Sequence, residues 1–194
     1  MTIIGDVHGL VDSYNKLLQK IEGPTVQLGD FGFRQEHMWH LANVDPVRHR
    51  VLFGNHDYYP MLHQKHSLGN WLLEDGILYV RGARSVDRDY RTEGKDWWPE
   101  EELNYMQCQE LLDFVGICKR GSGIRAVVSH DCPQMVTEQV FGHTDKSRTG
   151  QVLDEVLRIA RPARWVFGHH HKSITAELDG TVFQCLAELE TTTI

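Results

Sequence analysis

The sequence predicts an α/β fold built on parallel strands, and three observations carry that expectation. Short apolar runs of strand length alternate with stretches whose apolar residues recur at helical spacing. Five of those runs end in clusters rich in glycine, acid, amide and imidazole: Gly5-Asp6-Val7-His8-Gly9, Gly29-Asp30-Phe31-Gly32, Gly54-Asn55-His56-Asp57, Ser129-His130-Asp131 and Gly168-His169-His170-His171. At 194 residues, 41% hydrophobic and 24% charged, the chain has the size and composition of one globular domain, taken as residues 1–194. Parallel α/β folds place ligands beyond the carboxyl ends of their strands, where these clusters fall.

Thr2 to Ile4 reads as the first strand, feeding Gly5. Leu10, Tyr14, Leu17, Leu18 and Ile21 then mark one face of a helix, which Gly23-Pro24 ends. Val26 to Leu28 is a second strand, Glu36 to Asn43 a short helix, and Val47 to Phe53 a third strand. Tyr58 to Leu73 reads as mixed helix and loop, ending at Asp75-Gly76, with short strands expected at Ile77 to Val80 and Ala83 to Val86. Pro99 followed by Glu100, Glu101 and Glu102 predicts a helix start, because proline suits the first helical position and acids suit the N-terminal dipole. That helix is expected to reach about Val115 and stop near Gly116. Gly121-Ser122-Gly123 reads as a turn and Ile124 to Val128 as a buried strand. A helix over Gln151 to Ala160, closed by Pro162, precedes a strand at Arg164 to Phe167. Asp179-Gly180 between Ser173–Leu178 and Thr181–Leu186 signals a two-residue hairpin.

The net charge of −7 argues against a broad nucleic-acid-binding face, and bound divalent cations would offset part of it. Cys108, Cys118, Cys132 and Cys185 have no CxxC spacing, so reduced thiols in a cytoplasmic protein are expected. A strand beginning at Thr2 leaves no room for a signal peptide, and no apolar run reaches transmembrane length, so no membrane partner is expected. The sequence assigns no oligomeric state.

Asp6 and His8 stand two apart just beyond a strand and could share a cation; His169 and His171 repeat that spacing. Asp30, Asn55 and His130 add one donor each. This mixed nitrogen and oxygen set without thiolate suits manganese, iron, zinc or nickel better than a structural zinc site. The donors are too many for one ion and about right for two sharing a carboxylate, with Asp30 the candidate bridge. Paired metals roughly 3.5–4 Å apart clamp the attacking and leaving oxygens of an in-line displacement at phosphorus.

In this order, and over positions 5 to 171, the motifs resemble the calcineurin-like metallophosphoesterase family, as a small bacterial or phage-type member partly similar to the protein Ser/Thr phosphatase branch. The resemblance implies a four-layer α/β/β/α sandwich of two mixed sheets flanked by helices. It implies two divalent ions, manganese expected, with iron, zinc, nickel or magnesium as alternatives. Asp6, His8 and His171 would bind one ion, Asn55, His130 and His169 the other, with Asp30 bridging. A hydroxide between the metals would attack phosphorus, and His56 would act on the leaving oxygen as general acid or transition-state stabiliser. Arg34 and Asn55 are the implied substrate contacts. The implied substrate is a phosphorylated small molecule, nucleotide or phosphoprotein; a phosphomonoester is favoured over a nucleotide or cyclic-nucleotide diester, with a non-catalytic metal-binding scaffold as the further alternative.

Two positions depart from the phosphatase branch. Where that branch has a second aspartate that orients the general-acid histidine, this chain has Phe33, leaving Asp57 and Asp131 as substitutes. The third motif ends in Asp57 where the branch has glutamate. Residues 83–100 resemble a segment of small bacterial and phage members, and Arg84, Arg88 or Arg91 could meet a phosphate or a base there.

Overall fold

The computed structural model describes residues 1–120, 123–144 and 146–194, so Gly121-Ser122 of the expected turn lies outside the described residues. Three parallel strands, β1 (Thr2–Ile4), β2 (Thr25–Gln27) and β3 (His49–Val51), form the first sheet, with α1 (Val11–Leu18) and α2 (Gln35–Trp39) between them. The second sheet takes β4 (Trp71–Glu74), β5 (Ile77–Val80), β6 (Ala126–Ser129), β7 (Arg164–Phe167), β8 (Ile174–Leu178) and β9 (Thr181–Cys185). Their order in space is β4-β5-β6-β7-β9-β8, with β5, β6, β7 and β9 parallel and the two edge strands antiparallel. A final strand, β10 (Thr191–Thr193), runs antiparallel to β1 and completes the order β10-β1-β2-β3.

The period of two along each strand sorts side chains into layers. Ile3, Val26, Leu28 and Leu52 of the first sheet meet Ile77, Tyr79, Val128 and Val166 of the second, an apolar seam between the sheets. Ile4, Val51 and Phe53 point the other way, against Val11 and Tyr14 of α1 and Met38 of α2. On the far side, α3 (Tyr105–Arg120) and α5 (Arg148–Ala160) bury Leu111, Val115, Val152, Leu153 and Val156 against Val127, Trp165 and Phe167. A short helix, α4 (Gln134–Val136), continues as a π turn through Phe141. The two mixed sheets with helices outside are the four layers that the resemblance implies. Among the described residues, no helix is long and apolar enough to cross a membrane, and all four cysteines are free.

Several elements differ from the sequence reading. Residues 71–74 form a strand, because Asp75 (φ 51°) and Gly76 (φ 73°) turn the chain back through the same left-handed pair that turns β8 into β9 at Asp179-Gly180. Ala83 to Val86 is not a strand: the Ala83 and Ser85 amides go to the Glu101 carbonyl and carboxylate. Pro99 starts only one 3₁₀ turn, Pro99–Glu101. The buried Glu101 carboxylate accepts from Ser85, and Glu102 accepts from the Thr149 amide, so tertiary bonds hold these acids away from a helix N-terminus. The helix begins instead at Tyr105, behind a reciprocal capping box in which Asn104 and Gln107 each accept the other's amide at 2.9 Å. It also passes Gly116 and continues to Arg120. The helix expected from Gln151 starts at Arg148, capped by Ser147 Oγ accepting from the Gly150 amide.

Candidate active site

Strand register brings the five clusters to one edge. Val80, Ser129 and Phe167 lie abreast at the ends of β5, β6 and β7, so the turns carrying His130 and Gly168 leave side by side. The Gly168 amide donates to the His130 carbonyl at 3.0 Å. From the first sheet, the turns after β1 and β2 are tied together, since the Val7 and His8 amides both donate to the Asp30 carbonyl. Glycine is required at Gly54 because a Cβ there would collide with the Asp30 carboxylate and the His130 ring.

The candidate donors converge in two groups, each with its donor atoms within 4.8 Å of one another: Asp6, His8, Asp30 and His171, and then Asp30, His130 and His169. Asp30 belongs to both. Asn55 Oδ1 joins the second group at 3.2 Å from His130 Nε2. His8, Asp30, His169 and His171 all adopt left-handed backbone, with φ of 47°, 55°, 63° and 52°. Such conformations cost of order 1–3 kcal/mol each in non-glycine residues and cluster where the fold must aim a side chain.

Three observations fit these residues to cations. Asp30 Oδ2 is buried without a hydrogen-bond partner among the described residues. His130 Nδ1 lies 3.0 Å from the Leu28 carbonyl, which can only accept, so in the neutral ring Nε2 is left bare. That bare nitrogen faces Asn55 Oδ1 at 3.2 Å and Asp30 Oδ1 at 3.3 Å, three acceptors with no proton between them. In the other group His8 Nε2 and His171 Nε2 approach to 2.8 Å, with Asp6 Oδ2 at 3.7 and 3.3 Å from them.

The charges respond accordingly. Burial alone would raise Asp6, but hydrogen bonds to His171 and His8 hold its carboxyl well below the usual range. Burial opposes a charge on His8, yet the hydrogen bond to Asp6 and the nearby Asp30 push it up to about 9. His171 is raised through its hydrogen bond to Asp6. His56 moves the other way, down to about 4, through burial and the neighbouring Arg91 and His8 cations against the pull of Asp30.

His56 stands beside these groups, its amide donating to Asp30 Oδ1 at 2.7 Å and its ring edge-on to His8. A cleft of about 310 Å³ opens between Asp30, Asn55, His56 and the three histidines 169–171 on one side and Val86 and Asp87 on the other. His143 also lines it. Arg34 is exposed, with its guanidinium 5.9 Å from the Phe33 ring, and is not among the residues lining this cleft.

The two aspartates left open by Phe33 have other work. Asp57 is fully buried and accepts from the backbone amides of Asp30, Gly32 and Gly54 at 2.7–3.0 Å, tying the second and third turns together. Burial and the Asp30 charge push its carboxyl up to about 8 against those three donors. Asp131 accepts from the Cys132 amide and Ser147 Oγ and lies 3.8 Å from His170. Cys132 Sγ is 3.5 Å from His170 Nε2, and the His170 ring stacks on Phe141 at 4.0 Å, bracing the last turn from behind. Besides His8, the His56 ring meets Arg91, with Nη2 2.9 Å from Nε2 and 3.0 Å from Nδ1. Sequence reasoning had it only as one of three arginines in residues 83–100.

Known proteins share this fold. The structure is similar to a phosphopantetheinyl hydrolase from Mycobacterium tuberculosis, with a TM-score of 0.55 and 13% identity over 96% of this chain and 89% of that one. It is similar at the same TM-score, with 10% identity, to a candidate 5'-nucleotidase from Staphylococcus aureus; 96% of this chain aligns, spanning 48% of that chain. At such identities the likeness is one of fold. Among curated proteins, none matches the sequence. The model of the calcineurin-like phosphoesterase family, however, matches residues 1–173, and the chain belongs to that family of metal-dependent hydrolases.

Proposed function

We propose that the protein is a dinuclear metal-dependent phosphomonoesterase acting on a phosphorylated small molecule or nucleotide. The observation that carries this reading is Asp30, common to both donor groups and with a buried carboxylate oxygen that has no hydrogen-bond partner among the described residues. Asp6, His8 and His171 would hold one ion and Asn55, His130 and His169 the other, with Asp30 between them. When bound, such ions supply charge for the phosphoryl oxygens and bring the pKa of water towards neutrality. Manganese is the ion we favour for this nitrogen and oxygen set. The cleft suits a small ester, being near the lower end of ligand-pocket sizes at about 310 Å³. The 5'-nucleotidase likeness makes a nucleotide the first monoester to try.

The chain's own groups divide the remaining work. His56, held down to about 4, is a neutral imidazole at pH 7, so it serves the leaving oxygen as a hydrogen-bond donor rather than as an imidazolium. The reading takes residues 1–194 as one catalytic domain, since its donors come from Asp6 through His171. It takes the protein as cytoplasmic, in keeping with four free cysteines.

The test is hydrolysis of p-nitrophenyl phosphate and bis-p-nitrophenyl phosphate after chelation, then with manganese, nickel, iron, zinc or magnesium restored. Activity should vanish on chelation, return with a transition metal, and favour the monoester. A diester preference of about tenfold or more would replace the phosphatase reading with a phosphodiesterase. Asp30→Asn should lose both metal and activity, whereas His56→Ala should keep its metal and lose about 10²–10⁴-fold in rate. Unchanged activity in either variant would sink the assignment.

A further inference from the structure

Residues 83–100 deliver one charged side chain to the catalytic histidine. Arg91 follows a 3₁₀ turn over Arg88–Tyr90, and its side chain is only 10% exposed. The guanidinium is fixed from one edge: Nε donates to Asp87 Oδ1 at 2.8 Å and Nη2 to Asp87 Oδ2 at 2.9 Å. Nη1 donates to the Asp96 carbonyl at 3.0 Å. The second Nη2 hydrogen is aimed at His56, where the nitrogen is almost equidistant from the two ring nitrogens. An imidazole offers at most one bare nitrogen, and an Nη2 placed equally close to both ring nitrogens is poorly aligned with it, so this contact leaves the donor under-used. Asp87 does not cancel the charge at that place. It takes Nε and one Nη2 hydrogen and leaves the other Nη2 hydrogen to His56, and its own side chain is 49% exposed and screened by water.

A permanent cation, clamped and nearly buried, thus touches His56, which lines the cleft together with Asp87 and Val86. An anion entering between His56 and the paired donor groups would give that hydrogen a full charge-assisted partner. We propose that Arg91 is a substrate-binding residue that grips a phosphoryl oxygen on the His56 side of the cleft and favours dianionic monoesters over monoanionic diesters. The proposal deepens the phosphatase reading and rests on it for the position of the ester. The grip is geometric as well as electrostatic: the planar fork, anchored by Asp87, offers one edge to the protein and the other to the substrate. Asp87 is then a positioning residue that acts through Arg91.

The experiment measures inorganic phosphate binding to the manganese-loaded protein by calorimetry, together with kcat and KM for the two p-nitrophenyl esters. Wild type, Arg91→Ala, Arg91→Lys and Asp87→Asn are compared, with metal content determined for each. Arg91→Ala should keep its metal, weaken phosphate binding about tenfold, and lower the monoester-to-diester ratio of kcat/KM by about tenfold. Arg91→Lys should recover part of the phosphate affinity, and Asp87→Asn should shift both readings in the same direction by less. Should Arg91→Ala not fold, the other two variants carry the test. Phosphate affinity unchanged within about twofold, with equal losses on both esters, would overturn the proposal and leave Arg91 as a support for His56 alone. Loaded wild type that binds no phosphate would overturn it as well. Wild type that binds phosphate but hydrolyses neither ester would refute the phosphatase reading, while the phosphate titrations of the variants would still decide for or against Arg91.

Discussion

Asp30 Oδ2 and the bare His130 Nε2 are buried acceptors, and His8 Nε2 and His171 Nε2 face each other at 2.8 Å beside Asp6, an arrangement that cations or protons stabilise. Metal and proton therefore compete for the same atoms. His8 titrates near 9 in the folded chain and near 6.5 when unfolded, so its contribution to the stability of metal-free protein is fully present below pH 6.5 and is lost as pH rises through 9. Metal binding must displace that proton, and affinity should climb by about tenfold per pH unit between 7 and 9. Calorimetry in buffers of different ionisation enthalpy would read the released proton directly. Affinity flat across that range, with no proton release, would contradict the placement of a metal on His8. Residue types alone announced this chemistry, since acids and imidazoles at strand ends are visible in any listing of the chain. The left-handed backbone at His8, Asp30, His169 and His171 was not legible, because propensity disfavours it and only the packed turns impose it.

At the scale of elements, the turns matter more than the strands they follow. Asp57 is the tie between the turns after β2 and β3, and its three accepted amides are all buried backbone donors. Asp57→Ala would strand them and should cost about 3 kcal/mol, with weakened metal binding as the two turns drift apart. Denaturant unfolding measures the first effect and metal titration the second; a loss under about 1 kcal/mol would mean the tie is dispensable. The same scale explains the misread elements. Glu101 and Glu102 look like helix-start acids in sequence, but Ser85 and Thr149, distant in the chain, claim their carboxylates. The Asn104/Gln107 capping box was present in the sequence as a local signal and outweighs Pro99, five residues before it. Trp98 is 7% exposed, within the apolar layer beneath the first sheet.

For the whole molecule, the two sheets supply opposite halves of each donor group: Asp6, His8 and Asp30 follow strands of one, and His130, His169 and His171 follow strands of the other. Metal loading should thus staple the sheets together. With metal at a hundredfold its Kd, each of the two sites adds about 2.7 kcal/mol, and chelation should lower the Tm by about 10–20 °C. Scanning calorimetry with and without chelator checks this, and an unchanged Tm would argue that the ions bridge no sheet interface.

The sequence by itself determined the alternation of strands and helices, the strand ends at which chemistry is displayed, the donor set, and the hairpin at Asp179-Gly180. Each of these depends on a residue and its near neighbours: periodicity, a glycine able to turn, a side chain able to bind. Only the tertiary structure decided that β4 and β10 complete the sheets, that Asp57 accepts from backbone amides of two turns, and that Arg91 is the arginine brought against His56. Those outcomes join positions tens of residues apart, and which partner a carboxylate or guanidinium finds is set by the packing of both sheets, not by the stretch of chain that carries it.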